Sequence, residues 1–464
     1  MFIRSENFAN FTTLIWYLQA TSEELQVNAL HISLLALDSW LLIQKKMKVY
    51  KFGGASVSSA EGVKNIAYIV SQTNDDLFVV ISAMGKTTNA MEVVLEHFMK
   101  AERLEASQKL TEVANYHYGI IDNLFDDKKY GRSVVDPVFQ EVEEYIEIGI
   151  GDDYDRCYDK LVSYGEIIST TIISAYLNSV NIKNQWLDMR KLLVTDSNYR
   201  EANVRMEDSE EKLEQAVDFS KIRIYVGQGF IGGNHQGNPT TLGREGSDYT
   251  AAIVANLLNA ESVTIWKDVP GILNADPRIF KNTIHIPEMT YADAVELAYS
   301  GAQVIHPKTI KPLENEEIPL YVRPFGNLAE KGSVIKAEIE KPIDVPILIL
   351  RKNQVLITLR PRDFSFVLEE SLSKIFSIIN KHRLKVSIIQ SSAISISVGV
   401  DNTRYLEGAL DELGNEFKVT YNTGLELLTI RGANKEIVKE TTDGRNLLLY
   451  QRTRRIGRFL MEEK

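Results

Sequence analysis

Cysteine is almost missing from this sequence: Cys157 stands alone. A disulfide within the chain is therefore excluded, and a thiolate-held metal has too few ligands. Such usage fits a reducing cytoplasm, which is the expected location. No stretch supplies the roughly 18 consecutive apolar residues that a membrane-spanning helix needs, so no membrane partner is expected. The nearest candidate, ISLLALDSWLLI at 32–43, is interrupted by Asp38 and followed by Lys45 and Lys46, the wrong side for a secretory leader. Positive charge is also in deficit, with 52 Lys and Arg against 63 Asp and Glu and a net charge of -11. An acidic surface repels phosphate backbones, so nucleic acid is not an expected partner. A site for a polyanion must then be built locally, from a few cationic side chains and backbone N–H groups. What is present is ordinary for a globular protein, with 44% hydrophobic and 25% charged residues. At roughly 100–200 residues per domain, two or three domains are expected.

From residue 48 onwards, strand-like and helix-like patterns alternate. Residues 48–52, 77–82, 184–188, 222–226 and 262–266 read as strands, and 61–71, 167–177 and 247–258 as helices, with 90–160 mostly helical. The alternation implies an α/β three-layer sandwich with a mainly parallel sheet, and a ligand at the carboxyl ends of its strands. Composition shifts near Pro342 and Pro346. Beyond them, 355–360, 385–391 and 394–400 read as strands around helices at 368–382 and 405–413. A weaker run follows, with strands at 425–430, 446–451 and 456–461 and a short helix at 434–440. Two successive β-α-β-β units suggest a diverged internal repeat. The expected division is a catalytic domain at 47–336 and an α+β region at 346–464 whose second unit is short. Residues 1–46 read either as an accessory helix or as an extension upstream of a start at Met47. The second reading is preferred, because a strand begins directly after Met47.

Five motifs carry chemistry, and each falls at a strand end. KFGGAS at 51–56 closes the opening strand and precedes a helix. Gly53 and Gly54 let backbone N–H groups approach phosphate oxygens, and the helix N-terminus adds positive potential. Lys51 is placed to neutralise charge on a transferring phosphoryl group. Taken alone, an ordinary glycine turn with a solvated lysine explains this motif equally well. SAMGKTTN at 82–89 resembles the tail of a P-loop, but Val80 stands where that loop needs glycine, so the P-loop reading is rejected. A polar hydroxyl loop after a buried strand is still a candidate substrate site. GQGFIGG at 227–233 suggests close backbone approach to a ligand, though hairpin turns look similar.

TTLGREGSD at 240–248 is the strongest motif, because Thr, Gly, Arg, Ser and Asp crowd one turn before a helix. Ser247 or Asp248 is placed to cap that helix, and Arg244 to grip a carboxylate bidentately. Asp248 could also orient a cation or position Lys51. The competing reading is a capped helix with a solvated arginine. WKDVPGI at 266–272 ends a strand at Lys267 and Asp268, and Arg278 follows six residues later. This suits a nucleotide cradle with Arg278 returning to the phosphates, although turn chemistry explains it equally. His306 reads as a structural histidine at a helix–strand junction. Cys157 has no nearby base and no assigned role.

Together these motifs, with SYGE at 163–166 and SGAQVIHP at 300–307, resemble the aspartate kinase family within the amino-acid kinase superfamily. The resemblance is strong from Met47 to about Val334. TTLGREGSDYTA and WKDVPGI are its specific part, since glutamate and acetylglutamate kinases share only the glycine loops. The C-terminal units resemble the paired ACT modules of that family. The resemblance implies transfer of the ATP γ-phosphoryl group to the β-carboxylate of L-aspartate, giving 4-phospho-L-aspartate on the route to lysine, threonine and methionine. It implies ATP with Mg²⁺, no protein-held metal, and a homodimer or homotetramer formed through the ACT-like region. By position, Lys51 matches the phosphate-stabilising lysine and Asp248 the aspartate that organises it. Arg244 matches the grip on the substrate α-carboxylate and Glu166 the partner of its α-ammonium. Ser82, Thr88 and Ser247 match further substrate contacts. Gly53, Gly54, Ser56, Lys267, Asp268 and Arg278 match nucleotide contacts.

Three departures from the family stand out. Gln303 replaces a usual lysine and Leu273 a common tyrosine near the nucleotide. The loop at 363–370 lacks the glycine of lysine-inhibited members, and Ser387 stands where they carry aspartate. Weak or absent inhibition by lysine is therefore expected, with the ACT-like pair serving dimerisation. No Rossmann unit follows, so no fused homoserine dehydrogenase is expected. Two alternatives are carried forward: a related kinase acting on glutamate, and an inactive amino-acid sensor, which the presence of both Lys51 and Asp248 disfavours.

Overall fold

The computed structural model describes residues 47–149, 151–302, 305–362 and 369–463, and residues 47–464 cluster as one compact unit. The expectations for 1–46, for Gln303 and for most of the 363–370 loop lie outside the described residues.

The chain opens with β1 (Met47–Phe52), α1 (Ala60–Ser71) and β2 (Asp76–Ile81). β2 is buried at every position and β1 nearly so, as expected of parallel strands covered on both faces. α1 starts at Ser59, whose hydroxyl accepts from the Gly62 N–H, and buries Val63, Ile66, Ala67 and Val70 along one stripe. Four long helices follow: α2 (Thr87–Met99), α3 (Arg103–Leu124), α4 (Lys128–Ile148) and α5 (Tyr154–Ser179). Then come β3 (Gln185–Leu187), α6 (Met189–Leu192), β4 (Val194–Thr195), α7 (Met206–Ala216), β5 (Ile224–Gln228), β6 (Ile231–Asn234) and β7 (Pro239–Thr241). Next are α8 (Gly246–Leu257), β8 (Ser262–Lys267), β9 (Ile272–Leu273), β10 (His285–Ile286) and β11 (Glu288–Thr290). α9 (Tyr291–Ser300), α10 (Pro307–Asn315), β12 (Leu320–Pro324) and β13 (Ser333–Lys336) complete this half.

Eight strands form one sheet in the order β11-β13-β12-β8-β1-β2-β5-β3, parallel except between β12 and β13. β4, β6 and β7 form a small separate sheet. The glycine run at 227–233 is thus mostly strand. Added Cβ atoms at Gly232 and Gly233 would strike the Leu193 and Arg190 carbonyls, so these glycines serve close backbone packing.

The C-terminal half contributes β14 (Ile347–Pro361), α11 (Glu369–Lys381), β15 (Val386–Ser391), β16 (Ile396–Asp401), α12 (Leu406–Glu416), β17 (Phe417–Arg431), α13 (Lys435–Thr442), β18 (Leu447–Arg452) and β19 (Ile456–Glu462). They form a single antiparallel sheet, β15-β16-β14-β17-β19-β18, in which the two β-α-β-β units merge through β14 and β17. Both central strands are 15 residues long, more than twice the expected length. The polar run RKNQ at 351–354 hides the first half of β14 from pattern reading, and the strand is irregular there. That hidden half joins the two sheets. Ile347 and Ile349 pack into the core of the first half, while Leu348 packs with Leu428, Ile430 and Phe459. The Arg431 guanidinium pairs with Asp293 of α9 at 2.5 Å across the same junction.

Candidate active site

Lys51 is the penultimate residue of β1, and Lys267 is the last residue of the neighbouring β8. Both ammonium groups turn towards Asp248, in the first turn of α8. Lys51 Nζ lies 2.5 Å from Asp248 Oδ1, and Lys267 Nζ lies 3.6 Å from Oδ2. Burial alone would push the Asp248 carboxyl up, but the two lysines outweigh it and hold it below the usual carboxylate range. The Glu245 carboxyl also feels both lysines, and burial together with the Asp248 charge pushes it up. Neither Ser247 nor Asp248 caps α8. The preceding residue is Glu245, in the left-handed region at φ 57, and it makes no side-chain cap. The Asp248 carboxylate is committed to Lys51 instead.

The loops after β1 and β2 lie against each other. Gly85 N–H donates to the Gly54 carbonyl at 2.9 Å and Ser82 N–H to that of Phe52 at 3.1 Å. A Cβ on Gly54 would come within 2.8 Å of the Ala83 carbonyl oxygen, so only glycine permits this approach. Gly229 is equally constrained, because a Cβ there would meet Ser247 at 2.4 Å. That contact seats the start of α8 against the end of β5.

Glu166 comes from α5, a helix buried on most sides. Its Oε1 accepts from the Ala83 N–H at 3.4 Å, while Oε2 is buried with no hydrogen-bond partner. Burial pushes its carboxyl up to about 8. An unsatisfied carboxylate oxygen facing a cavity is an acceptor built for a donor that arrives from outside. Arg244, on the exposed loop between β7 and α8, has no carboxylate paired with it among the described residues.

One cavity of about 1980 Å³ joins these groups. It is lined by Lys51, Gly53, Gly54, Ser56, Ser82, Thr88, Glu166, Arg244, Ser247, Asp248, Lys267, Asp268 and Arg278, so every residue matched by position to a catalytic, substrate or nucleotide contact borders it. They are not equally central. Arg278 is mostly exposed, and Asp276 engages its guanidinium at 2.7 Å, so it stands at the rim rather than beside Lys51. Leu273 also lines the wall. His306 lies at the N-cap of α10, where its Nδ1 accepts from the Lys308 N–H at 3.2 Å. Cys157 is buried beside the Tyr145 hydroxyl.

The sequence reading missed two parts of the wall. One is Tyr158 and Arg200 of the first half. The other comes from the C-terminal half, where Arg383, Lys385, Arg404 and Tyr405 border the same cavity. No local pattern marks either group. Among the described residues no cluster of three or more His, Cys, Asp or Glu side chains is placed to hold a metal ion, and no helix is long and apolar enough to cross a membrane.

A sequence model of the amino acid kinase family matches residues 46–324. The lysine-sensitive aspartokinase 3 of Escherichia coli (strain K12) is 31% identical over 393 residues, covering 83% of this chain and 86% of that protein. Aspartokinase 1, chloroplastic, of Arabidopsis thaliana is 32% identical over 376 residues, covering 77% of this chain and 63% of that longer protein. The crystal structure of E. coli aspartokinase III in complex with aspartate and ADP matches with a TM-score of 0.78 at 29% identity, over 90% of this chain and 96% of that one. The chain belongs to the amino acid kinase family, and within it to the aspartate kinases.

Proposed function

We propose that this protein transfers the γ-phosphoryl group of ATP to the β-carboxylate of L-aspartate, giving 4-phospho-L-aspartate at the head of a route to lysine, threonine and methionine. The observation that carries the reading is the pairing of Lys51 with Asp248 in the cavity that also holds the unsatisfied Glu166 oxygen. Glu166 would receive the α-ammonium of aspartate and Arg244 its α-carboxylate, leaving the β-carboxylate directed at the phosphates. Ser82, Thr88 and Ser247 would add polar contacts. A carboxylate is already ionised at neutral pH, so the attacking group needs no base. Catalysis then reduces to alignment and charge stabilisation. Lys51 and Lys267 lie where negative charge spreads over the transferring group, and Asp248 holds both in place. Gly53, Gly54 and Ser56 would cradle the phosphates, with Asp268 and Arg278 towards the nucleoside. Mg²⁺ would enter as the counter-ion of ATP, held chiefly by its phosphates.

The same reading treats 47–336 as the catalytic domain and 346–464 as an ACT-like pair through which two copies associate in the cytoplasm. Support comes from apolar side chains left exposed on that sheet, Ile389, Leu447 and Tyr450 among them. A coupled ADP-release assay with aspartate, with hydroxylamine trapping the acyl phosphate, tests the activity. Glutamate turned over as fast as aspartate, or no ADP formed, would overturn it.

A further inference from the structure

α5 carries a second buried carboxylate, Asp159, two turns before Glu166. Asp159 is fully buried and does not line the cavity, so it cannot touch substrate. Its carboxylate nonetheless accepts from three donors. The Thr241 hydroxyl donates to Oδ1 at 2.7 Å and the Thr241 N–H to Oδ2 at 2.9 Å. The Arg200 N–H donates to both oxygens, at 3.0 and 3.2 Å. The Ala202 N–H donates to the Thr241 carbonyl at 2.9 Å, which closes the cluster.

Each partner belongs to the cavity wall. Thr241 ends β7 three residues before Arg244. Arg200 has a left-handed backbone at φ 70, a strained conformation for a residue with a side chain. Its guanidinium lies 4.4 Å over the Tyr158 ring and 3.3 Å from Asp155, both on α5 and both lining the cavity. Arg200 is a charged group acting on Asp159, and Tyr158 is a titratable one; the β7 side presents the uncharged Thr241. Burial pushes the Asp159 carboxyl up to about 6, against the hydrogen bonds that favour its ionised form.

We infer that Asp159 is a positioning residue that ties the helix bearing Glu166 to the loop bearing Arg244, and so sets the spacing at which the two ends of the amino-acid substrate are gripped. The inference rests on the proposed aspartate kinase reading. Glu166 and Arg244 come from different elements, and a zwitterion has a fixed length. Their separation holds only if α5 and the 241–244 loop move as one body. Asp159 makes that bond from behind the wall. An acceptor-only carboxylate suits the task, because every group facing it is a donor. An amide of the same shape would turn an NH₂ towards N–H donors.

The test compares Asp159→Asn and Thr241→Val with the wild-type chain in steady-state kinetics for both substrates. Asp159→Asn is expected to raise the aspartate KM about ten-fold or more, with kcat and the ATP KM changed by less than about three-fold, because several hydrogen bonds to a charged group are lost at the amino-acid end alone. Thr241→Val removes one donor and keeps the shape, so a rise of about two- to five-fold in the aspartate KM is expected. A general loss of structure would instead depress kcat and raise both KM values together. That pattern, or an unchanged aspartate KM in Asp159→Asn, overturns the inference. Should Asp159→Asn fail to fold, Thr241→Val decides, and a wild-type aspartate KM there overturns it. A wild-type chain inactive on aspartate would instead overturn the functional reading itself.

Discussion

The Lys51 ammonium rests 2.5 Å from the Asp248 carboxylate, although β1 and α8 are separated by most of the catalytic half of the chain. The parallel register of β1 with β8 brings their carboxyl ends side by side, and α8 leads directly into β8. Removing Asp248 takes the carboxylate from both Lys51 and Lys267, and removing Lys51 takes from Asp248 the nearer of its two lysines. Lys51→Ala and Asp248→Ala should each lower turnover by about two orders of magnitude or more, as loss of a charge-stabilising group does. Single-turnover ADP formation measures it, and near-normal rates in either variant would refute the assigned roles.

Arg244 should govern the amino acid and not the nucleotide. Arg244→Lys keeps the charge but loses the planar fork, so the aspartate KM should rise by about ten-fold or more with little change for ATP. Equal effects on both substrates would place this arginine elsewhere.

In its proposed role as partner of the α-ammonium, Glu166 should make aspartate affinity depend on pH. In the free protein burial raises its carboxyl to about 8, so it is largely neutral at pH 6. Only the ionised form pairs with an ammonium. The aspartate KM should therefore fall as pH rises from about 6 to about 8, and Glu166→Gln should abolish that trend. A parallel pH dependence in wild type and variant would remove Glu166 from the ammonium site.

The same group sets a stability trend of definite sign. Its folded value lies above the unfolded one, so the folded state binds the proton more tightly. The stabilisation is complete below the unfolded value and is lost as pH rises through about 8. Thermal melting without substrate should show Tm declining over this window, less so in Glu166→Gln. Saturating aspartate should offset the decline.

Ile349 belongs to the C-terminal sheet by sequence but to the catalytic core by packing. Ile349→Ala should cost about 2–5 kcal/mol in a denaturant titration, the range for truncating a buried isoleucine. A cost typical of an exposed site would show that β14 does not join the two halves.

Much of the site was legible without coordinates, for identifiable reasons. A buried parallel strand reads as an uninterrupted apolar run, as LFVVI at 77–81 does, and ligand-binding residues follow the carboxyl ends of such strands. That rule led to Lys51, Ser82 and Lys267. The crowding of Arg244, Ser247 and Asp248 into one turn led to the loop before α8. The capping role offered for Ser247 or Asp248 did not hold, because α8 begins at Gly246 with left-handed Glu245 before it, which puts both residues inside the first turn; the alternative offered for Asp248, positioning Lys51, is the contact it makes. The glycines at 227–233 read as a ligand loop or a hairpin turn, but Gly232 and Gly233 pack against the Leu193 and Arg190 carbonyls, Gly227 against the Met189 and Phe78 side chains, and Gly229 against Ser247. Sequence shows only that a side chain is missing there, not what occupies the space.

By itself the sequence determined the alternation of strands and helices, the parallel sheet and the strand ends at which charged groups collect. These follow from local periodicity and from the chemistry of adjacent residues. Tertiary structure alone decided that Asp159 holds Thr241 and Arg200, that Glu166 keeps one oxygen unsatisfied, and that Arg383 and Arg404 border a cavity built by the other half of the chain. Each is a meeting of segments far apart along the chain. Which donor meets which acceptor there depends on how whole elements pack, and no spacing within a segment encodes it.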